Sequence, residues 1–166
     1  MTHYIPQFIL KLTIFLGMLP LITSCNTSSM AHIKNYETKT IVLPSGEELQ
    51  TYIAEGPLKQ ATGLSNVKDN DFSESEAMFF PGSYPKLRQF WMPETHFNLD
   101  LIFLSEDLYV LDIQRNLQHF KSATPKKNVP MSKEVFCTHV LEIKANSKIS
   151  SKIKHGMILK WKNKTK

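Results

Sequence analysis

Apolar residues in this chain occur in short runs separated by turn residues, a pattern typical of β-strands rather than of amphipathic helices. The segment 135–143 also alternates, which places Val135, Cys137, His139, Leu141 and Ile143 on one strand face. The sequence predicts strands over residues 40–43, 49–54, 77–80, 87–92, 99–104, 108–113, 135–143 and 157–161.

Turn residues join several of these strands. Pro-Ser-Gly at 44–46 predicts a hairpin between the first two strands, and Ser-Glu-Asp at 105–107 predicts the clearest hairpin of the chain. Pro57 and Gly63 favour one or two helical turns between them, because proline suits the start of a helix and glycine its end. Another short helix is expected within 147–154, and a long polar loop over 116–134.

These elements predict an all-β fold, mainly β with one or two short helices. The length of 166 residues fits a compact, single sandwich-like or barrel-like domain. The six glycines include no phosphate-binding motif. Two cysteines are too few for a disulfide-rich scaffold or a four-cysteine zinc module.

The N-terminus predicts export. An apolar stretch at 12–22 is too short to span a bilayer as a helix, and it runs into Ile22-Thr23-Ser24-Cys25. This ending resembles a bacterial lipobox, so we expect a signal peptide over 1–24 and lipid on Cys25. An ordinary cleaved signal peptide and an uncleaved anchor are the alternatives. We expect attachment to the bacterial membrane, facing the periplasm from the outer membrane in a Gram-negative cell.

Residues 25–37 are polar and lack periodicity, which predicts a flexible tether before a domain at 38–166. The net charge of +5 is concentrated at the C-terminus, where residues 143–166 hold eight lysines and no acidic residue. This end could contact anionic lipid or remain solvated. The absence of a nucleic-acid-binding motif in the sequence argues against a nucleic-acid partner.

Several blocks in order resemble the DUF192 family of small, mostly-β proteins without an assigned activity. The most specific block is Phe90-Trp91-Met92, followed by Thr95 and by Leu99-Asp100. The other blocks are Gly63-Leu64, Ala77-Met78-Phe79-Phe80, Ile102-Phe103 and Val140-Leu141-Glu142. The resemblance covers about residues 47–161, and it implies a β fold and an exported or lipid-anchored location.

The chain departs from the pattern of that family at several positions. Pro93 replaces the usual basic residue after the aromatic block, and Glu94 replaces the following asparagine. Ser65 replaces a methionine, Asn98 a proline, and Met157 an aspartate near the C-terminus. A ligand role of the basic residue or of that aspartate in relatives would be altered here.

Phe90, Trp91, Met92, Thr95 and Asp100 are the candidate ligand-binding residues. On a strand, Phe90 and Met92 face one way and Trp91 the other. These side chains either pack in the core or form a pocket wall, where Trp91 would stack on a ligand such as a sugar ring.

Asp100 and Glu142 each lie in a strongly apolar strand, where a carboxylate is costly to bury without partners. Asp100 is either a structural hydrogen-bond acceptor or a ligand-binding or catalytic acid in a pocket. If the two carboxylates converged, they would suit general acid and base catalysis. Their sequence spacing does not settle this point.

His96, His119 and His139 lack the tight spacing of a metal site, so we expect no metal and no cofactor. Cys137 is expected to be a buried free thiol. We therefore expect a binding module for a small molecule, an envelope glycan or a protein. A hydrolase-like enzyme using Asp100 and Glu142 and a passive structural envelope component are the alternatives.

Overall fold

The structure is a computed structural model that describes residues 32–121 and 128–163. The expected signal peptide over 1–24 and Cys25 lie outside these residues. No helix within the described part of the chain is both long and apolar enough to cross a membrane.

The described residues are mostly β. The strands are β1 (Thr38–Val42), β2 (Glu48–Ile53), β3 (Glu76–Phe80), β4 (Lys86–Arg88), β5 (Leu99–Leu104), β6 (Val110–Leu117), β7 (Val135–Cys137), β8 (His139–Lys144) and β9 (Lys160–Trp161). One short helix, α1, spans Pro57–Thr62, and single 3-10 turns occur at His32–Asn35, Asp69–Asp71 and Ser150–Lys152. The all-β prediction is confirmed.

Seven strands form one sheet in the order β6-β5-β8-β3-β2-β1-β9, which curls into half a barrel. β2 and β3 pair in parallel, and the other strand pairs of the sheet are antiparallel. β4 and β7 form a separate antiparallel ribbon. Both predicted hairpins are present, as β1–β2 and β5–β6.

Apolar side chains cover both faces of the large sheet. Leu101, Phe103 and Val140 belong to one buried cluster, whereas Ile102 and Leu141 belong to the other. Because successive residues of a strand point to opposite faces, the central strands need apolar residues at nearly every position. This explains their runs of consecutive apolar residues and the cost of each polar residue within them.

The predicted strand over 135–143 is divided at Thr138. The Thr138 N–H donates to the carbonyl of Leu104 at 2.9 Å, and its own carbonyl accepts from Arg88 at 2.7 Å. The chain passes here from the β4–β7 ribbon to the large sheet. Cys137 and His139 therefore belong to different sheets and are not one strand pair.

The domain begins earlier than Thr38. Ile33 is fully buried in the core, and the Lys34 Nζ lies 2.6 Å from an Oε of Glu76 and 2.7 Å from the Tyr52 hydroxyl. An isolated isoleucine in a polar segment has no periodicity, so the pattern alone could not show its burial. Of the expected tether over 25–37, residues 32–37 are therefore part of the domain.

Candidate functional site

A cleft lies between α1 and the segment that carries the aromatic block. Its inner compartment has a volume of about 40 Å³, which exceeds the roughly 10–15 Å³ that one ordered water molecule requires. The compartment is lined by Gln60, Ala61, Thr62, Gly63, Leu64, Ser65, Phe80, Phe90, Trp91, Met92, Pro93, Thr95, Leu99 and Glu142.

An outer compartment of about 360 Å³ continues the cleft toward solvent. The two compartments share the walls formed by Gln60, Ala61, Phe80, Phe90 and Trp91. The outer compartment is additionally lined by Lys86, Leu87, Arg88 and Gln89. Together they offer space for a small molecule whose narrow end reaches inward.

Backbone pairing fixes the aromatic segment. The N–H of Phe90 donates to the Ser132 Oγ at 2.9 Å, and the Ser132 N–H donates to the Phe90 carbonyl at 2.7 Å. The Met92 N–H donates to the carbonyl of Pro130 at 3.0 Å. Two residues beyond β4, the chain thus continues as an extended segment with its side chains alternating.

The side chains of this block face in two directions. Met92 is buried, and Phe90 packs edge-to-face on Phe80 with ring centroids 4.9 Å apart. Trp91 is 46% exposed, which leaves a large apolar ring partly in water at the cleft. Thr95 is buried on the inner wall and donates its hydroxyl to the Pro93 carbonyl at 3.3 Å. Of the five candidate ligand-binding residues, these four line the inner compartment, whereas Asp100 does not.

The departures at Ser65, Pro93 and Glu94 lie where this segment meets the chain after α1. The Ser65 hydroxyl donates to the Pro93 carbonyl at 2.9 Å. The Asn66 N–H donates to the Glu94 carbonyl at 2.8 Å, and the Asn66 amide donates to the Glu94 carboxylate at 2.6 Å. These bonds fasten one side of the cleft to the other.

Glu142 is the only ionisable residue that lines the inner compartment among the described residues. It projects from β8 opposite Met78 of β3 and Leu101 of β5, and it is 4% exposed. Burial raises the pKa of its carboxyl to about 8, and no group of the described residues donates a hydrogen bond that would lower it. The acid is therefore mostly neutral at pH 7 and can both donate and accept a hydrogen bond in the cleft.

Asp100 lies on the opposite face of the sheet. β5 and β8 pair so that Leu101 stands opposite Glu142, whereas Asp100 stands opposite Ile143. Neighbouring residues of a strand point to opposite faces, so the two carboxylates cannot converge. The pairing of Asp100 and Glu142 that general acid and base catalysis requires is absent.

The Asp100 carboxylate, 3% exposed, is satisfied by partners on its own face of the sheet. It accepts from an Arg115 Nη at 2.7 Å, from the Asn116 N–H at 2.7 Å and from the Ser150 hydroxyl at 2.6 Å. Arg115 also donates to the carbonyls of Ser150 and Ile153. Asp100 therefore joins β5 and β6 to the C-terminal turn as a structural acceptor.

The histidines do not come together, and no group of metal-ligating side chains forms within residues 32–121 and 128–163. The Nδ1 of His139 accepts from the Gly82 N–H at 3.0 Å, and His119 bonds to the Asn98 side chain. Cys137 is buried, and burial raises the pKa of its thiol. This thiol is poorly suited to nucleophilic chemistry.

Arg88 and Gln60 line the cleft but were not among the predicted candidates. Arg88 precedes Phe90 and Met92 by two and four positions, so period-two alternation places all three on one face. A charged residue on the buried face of an apolar segment was the available signal. Gln60 gave no comparable signal, because it lies in a short helix of mixed composition.

We expect Asp100→Asn to lower stability by on the order of 2–3 kcal/mol, because it weakens a buried, charge-assisted network. Urea denaturation measures the loss, and the exposed Asp107→Asn serves as the control. Ligand binding in the cleft should not change. Wild-type stability combined with altered ligand binding would contradict the structural role.

Glu142→Gln should remove a pH dependence of stability. The folded-state pKa of about 8 exceeds the ordinary 4.5, so the folded protein holds a proton that the unfolded chain releases. The contribution of Glu142 to stability is then fully present below pH 4.5 and is lost as the pH rises through 8. Relative to Glu142→Gln, we expect the wild type to lose on the order of a few kcal/mol between about pH 5 and pH 8.

Denaturant midpoints at several pH values measure this difference. Glu55→Gln, at an exposed glutamate, is the matched control and should follow the wild-type profile. Parallel profiles for the wild type and Glu142→Gln would show that the buried carboxyl does not titrate in this range.

Two solved structures are similar to this chain. A protein from Sinorhizobium meliloti 1021, described provisionally as a transcription regulator, is 21% identical, with a TM-score of 0.61 over 76% of this chain and 95% of that chain. A protein of unknown function from Novosphingobium aromaticivorans DSM 12444 is 26% identical, with a TM-score of 0.59 over 75% and 84% of the respective chains. The first likeness shows a shared fold and assigns no function.

No curated protein is significantly similar to this chain. The DUF192 sequence family, described as "Uncharacterized ACR", matches residues 40–161. The match extends from the middle of β1 to the end of β9, and it includes the aromatic segment and Glu142. With most of its length covered, this chain belongs to the DUF192 family.

Proposed function

We propose that this protein is a binding module for a small molecule, held in the cleft between α1 and the aromatic segment. The observation that carries the proposal is the Glu142 carboxyl, which faces the inner end of the cleft and receives no hydrogen bond from the described residues. A buried polar group without a protein partner is costly unless something else satisfies it. A ligand group, or the water that it displaces, would supply the missing bond.

The walls and size of the cleft support a small ligand. Phe90, Met92 and Trp91 offer apolar surface, and the half-exposed indole of Trp91 is available for stacking. The outer compartment of about 360 Å³ lies within the usual range of small-molecule sites. This volume favours a small molecule, a single sugar ring included, over a protein partner or a long glycan.

A hydrolase based on Asp100 and Glu142 is not favoured, because the sheet separates the two carboxylates. A passive structural role would leave a buried acid and a half-exposed tryptophan beside an open cleft without a use. The binding module therefore accounts for more of the site than either alternative.

A thermal-shift screen of small molecules against the full-length protein in lipid nanodiscs tests this proposal. A ligand at about 100 times its Kd should stabilise the protein by about 2.7 kcal/mol and raise Tm by several degrees. Trp91→Ala should abolish the shift, because it removes a cleft wall. Tyr109→Ala is the matched control, since this partly exposed aromatic lines neither compartment. An equal shift in wild type and Trp91→Ala would place the ligand elsewhere.

The proposal also assigns the module to the bacterial cell envelope, with lipid on Cys25 as its anchor. It rests on the apolar stretch and on the small residues before Cys25. A two-chain lipid would hold the protein stably, whereas one chain would be marginal. The lysine-rich end would add attraction to an anionic membrane surface.

Cys25→Ala should release the protein from membranes that have been washed with alkaline carbonate. The matched control is Cys137→Ala, since the chain has two cysteines and Cys137 is the buried one. Fractionation and labelling with radioactive palmitate measure both effects. Membrane retention of Cys25→Ala would instead indicate an uncleaved apolar anchor.

A further inference from the structure

Arg88 is a buried cation without an acidic partner among the described residues. It is 8% exposed, and burial lowers the pKa of its guanidinium. Its Nη1 donates to the carbonyls of Phe80 at 3.0 Å and Thr138 at 2.7 Å. No carboxylate of the described residues lies within 4.0 Å of it, whereas buried arginines are ordinarily paired.

The structural task of Arg88 uses one of its three nitrogens. Nη1 joins β3 to the chain between β7 and β8 through the two carbonyls, and Gly82 leaves room for this approach. A Cβ on Gly82 would lie 3.2 Å from Nη1 and 2.2 Å from the Thr138 carbonyl oxygen. Nε and Nη2 make no hydrogen bond to the described residues and remain available as donors.

Arg88 borders the outer compartment of the cleft together with Lys86. None of the other described residues that line that compartment is acidic, so these residues give it two positive charges and no negative one. In the inner compartment Glu142 is mostly neutral at pH 7 and adds little opposing charge. The cleft is thus electrically unbalanced in favour of an anion.

The arrangement of charge and apolar surface points to a small organic anion with an apolar body, such as a carboxylic acid or a phosphate ester, as the ligand of this cleft. This inference rests on the proposed binding function and specifies its ligand class. The anionic group lies against Arg88 and Lys86, and the apolar body lies against Phe90 and Trp91. A small hydrogen-bonding group of the ligand can reach Glu142.

The position of the Phe90 ring fits this arrangement. The guanidinium carbon of Arg88 lies 5.6 Å from the centroid of the Phe90 ring, which orients the cation at the edge of the apolar wall. A planar guanidinium held in this way can donate two parallel hydrogen bonds to a carboxylate or a phosphate. A ligand bound here would therefore meet a cation and an apolar surface side by side.

Matched pairs of acid and neutral amide test the charge requirement directly. We propose phenylacetate, 3-phenylpropionate and cyclohexylacetate, each compared with its primary amide, and phenyl phosphate compared with phenol. The full-length protein is studied at pH 6.5 in phosphatidylcholine nanodiscs, because these have no net charge that would attract or repel the anionic ligands. The chain has two tryptophans, so Trp161→Phe makes Trp91 fluorescence a reporter for the cleft.

Each acid should bind at least 10-fold more tightly than its amide, and phenyl phosphate more tightly than phenol. Lys86→Gln should weaken the binding of the anions about two- to five-fold without affecting the binding of the amides. Because the Lys86 side chain is exposed, its loss should not disturb folding. If Arg88→Gln still melts cooperatively, it should bind each acid and its amide with equal affinity. Lys148→Gln makes the same charge change at an exposed lysine that lines neither compartment, and it should have no effect.

Equal affinity for an acid and its amide, with the thermal shift that both produce lost in Trp91→Ala, would overturn the anion inference and leave the binding function intact. If neither member of any pair quenches the fluorescence of Trp91, the result would count against both the anion inference and the binding function. A preference for anions that Lys148→Gln reduces as much as Lys86→Gln would reflect overall charge, and it too would overturn the inference.

Discussion

The central sheet must bury both of its faces, and this constraint governs the rest of the structure. In β3, β5 and β8 every residue except His139 and Lys144 is buried. A polar side chain in these strands is largely shielded from bulk solvent, so it depends on what the facing layer offers. The register between β5 and β8 decides which layer each polar residue meets.

Asp100 and Glu142 illustrate this dependence. Both are acids within apolar strands, but their surroundings differ on the two faces of the sheet. Asp100 meets Arg115, Ser150 and a backbone N–H, which stabilise its ionised form. Glu142 meets the inner end of the cleft, where burial favours its neutral form. One acid therefore holds the fold together, and the other is left for a function.

Local patterns in the sequence predicted most of the fold, because turn residues and apolar runs act over a few positions. The strands, both hairpins, α1 between Pro57 and Gly63, and the place of the aromatic block in the family were all accessible in this way. The face of the sheet on which Asp100 lies could not be predicted from local patterns. It depends on pairing between strands that are about forty residues apart, and a one-residue change of register would reverse it.

The same limit applies to the division at Thr138. Alternation continues across this residue, so the segment resembles one strand, and the change of sheet depends on the partners of its N–H and carbonyl. The burial of Ile33 and the cleft position of Arg88 are likewise set by distant partners. Local sequence patterns do not assign such roles, because contacts between distant segments set them.

The early start of the domain has a geometric consequence. With Ile33 fixed in the core, residues 26–31 are what separates Cys25 from the folded body. Even fully extended, this connection would reach about 25 Å. Under the proposed lipidation, the protein would work as a module standing on the bilayer, with little freedom to search the space beyond it. Its ligands would then be encountered at the membrane surface.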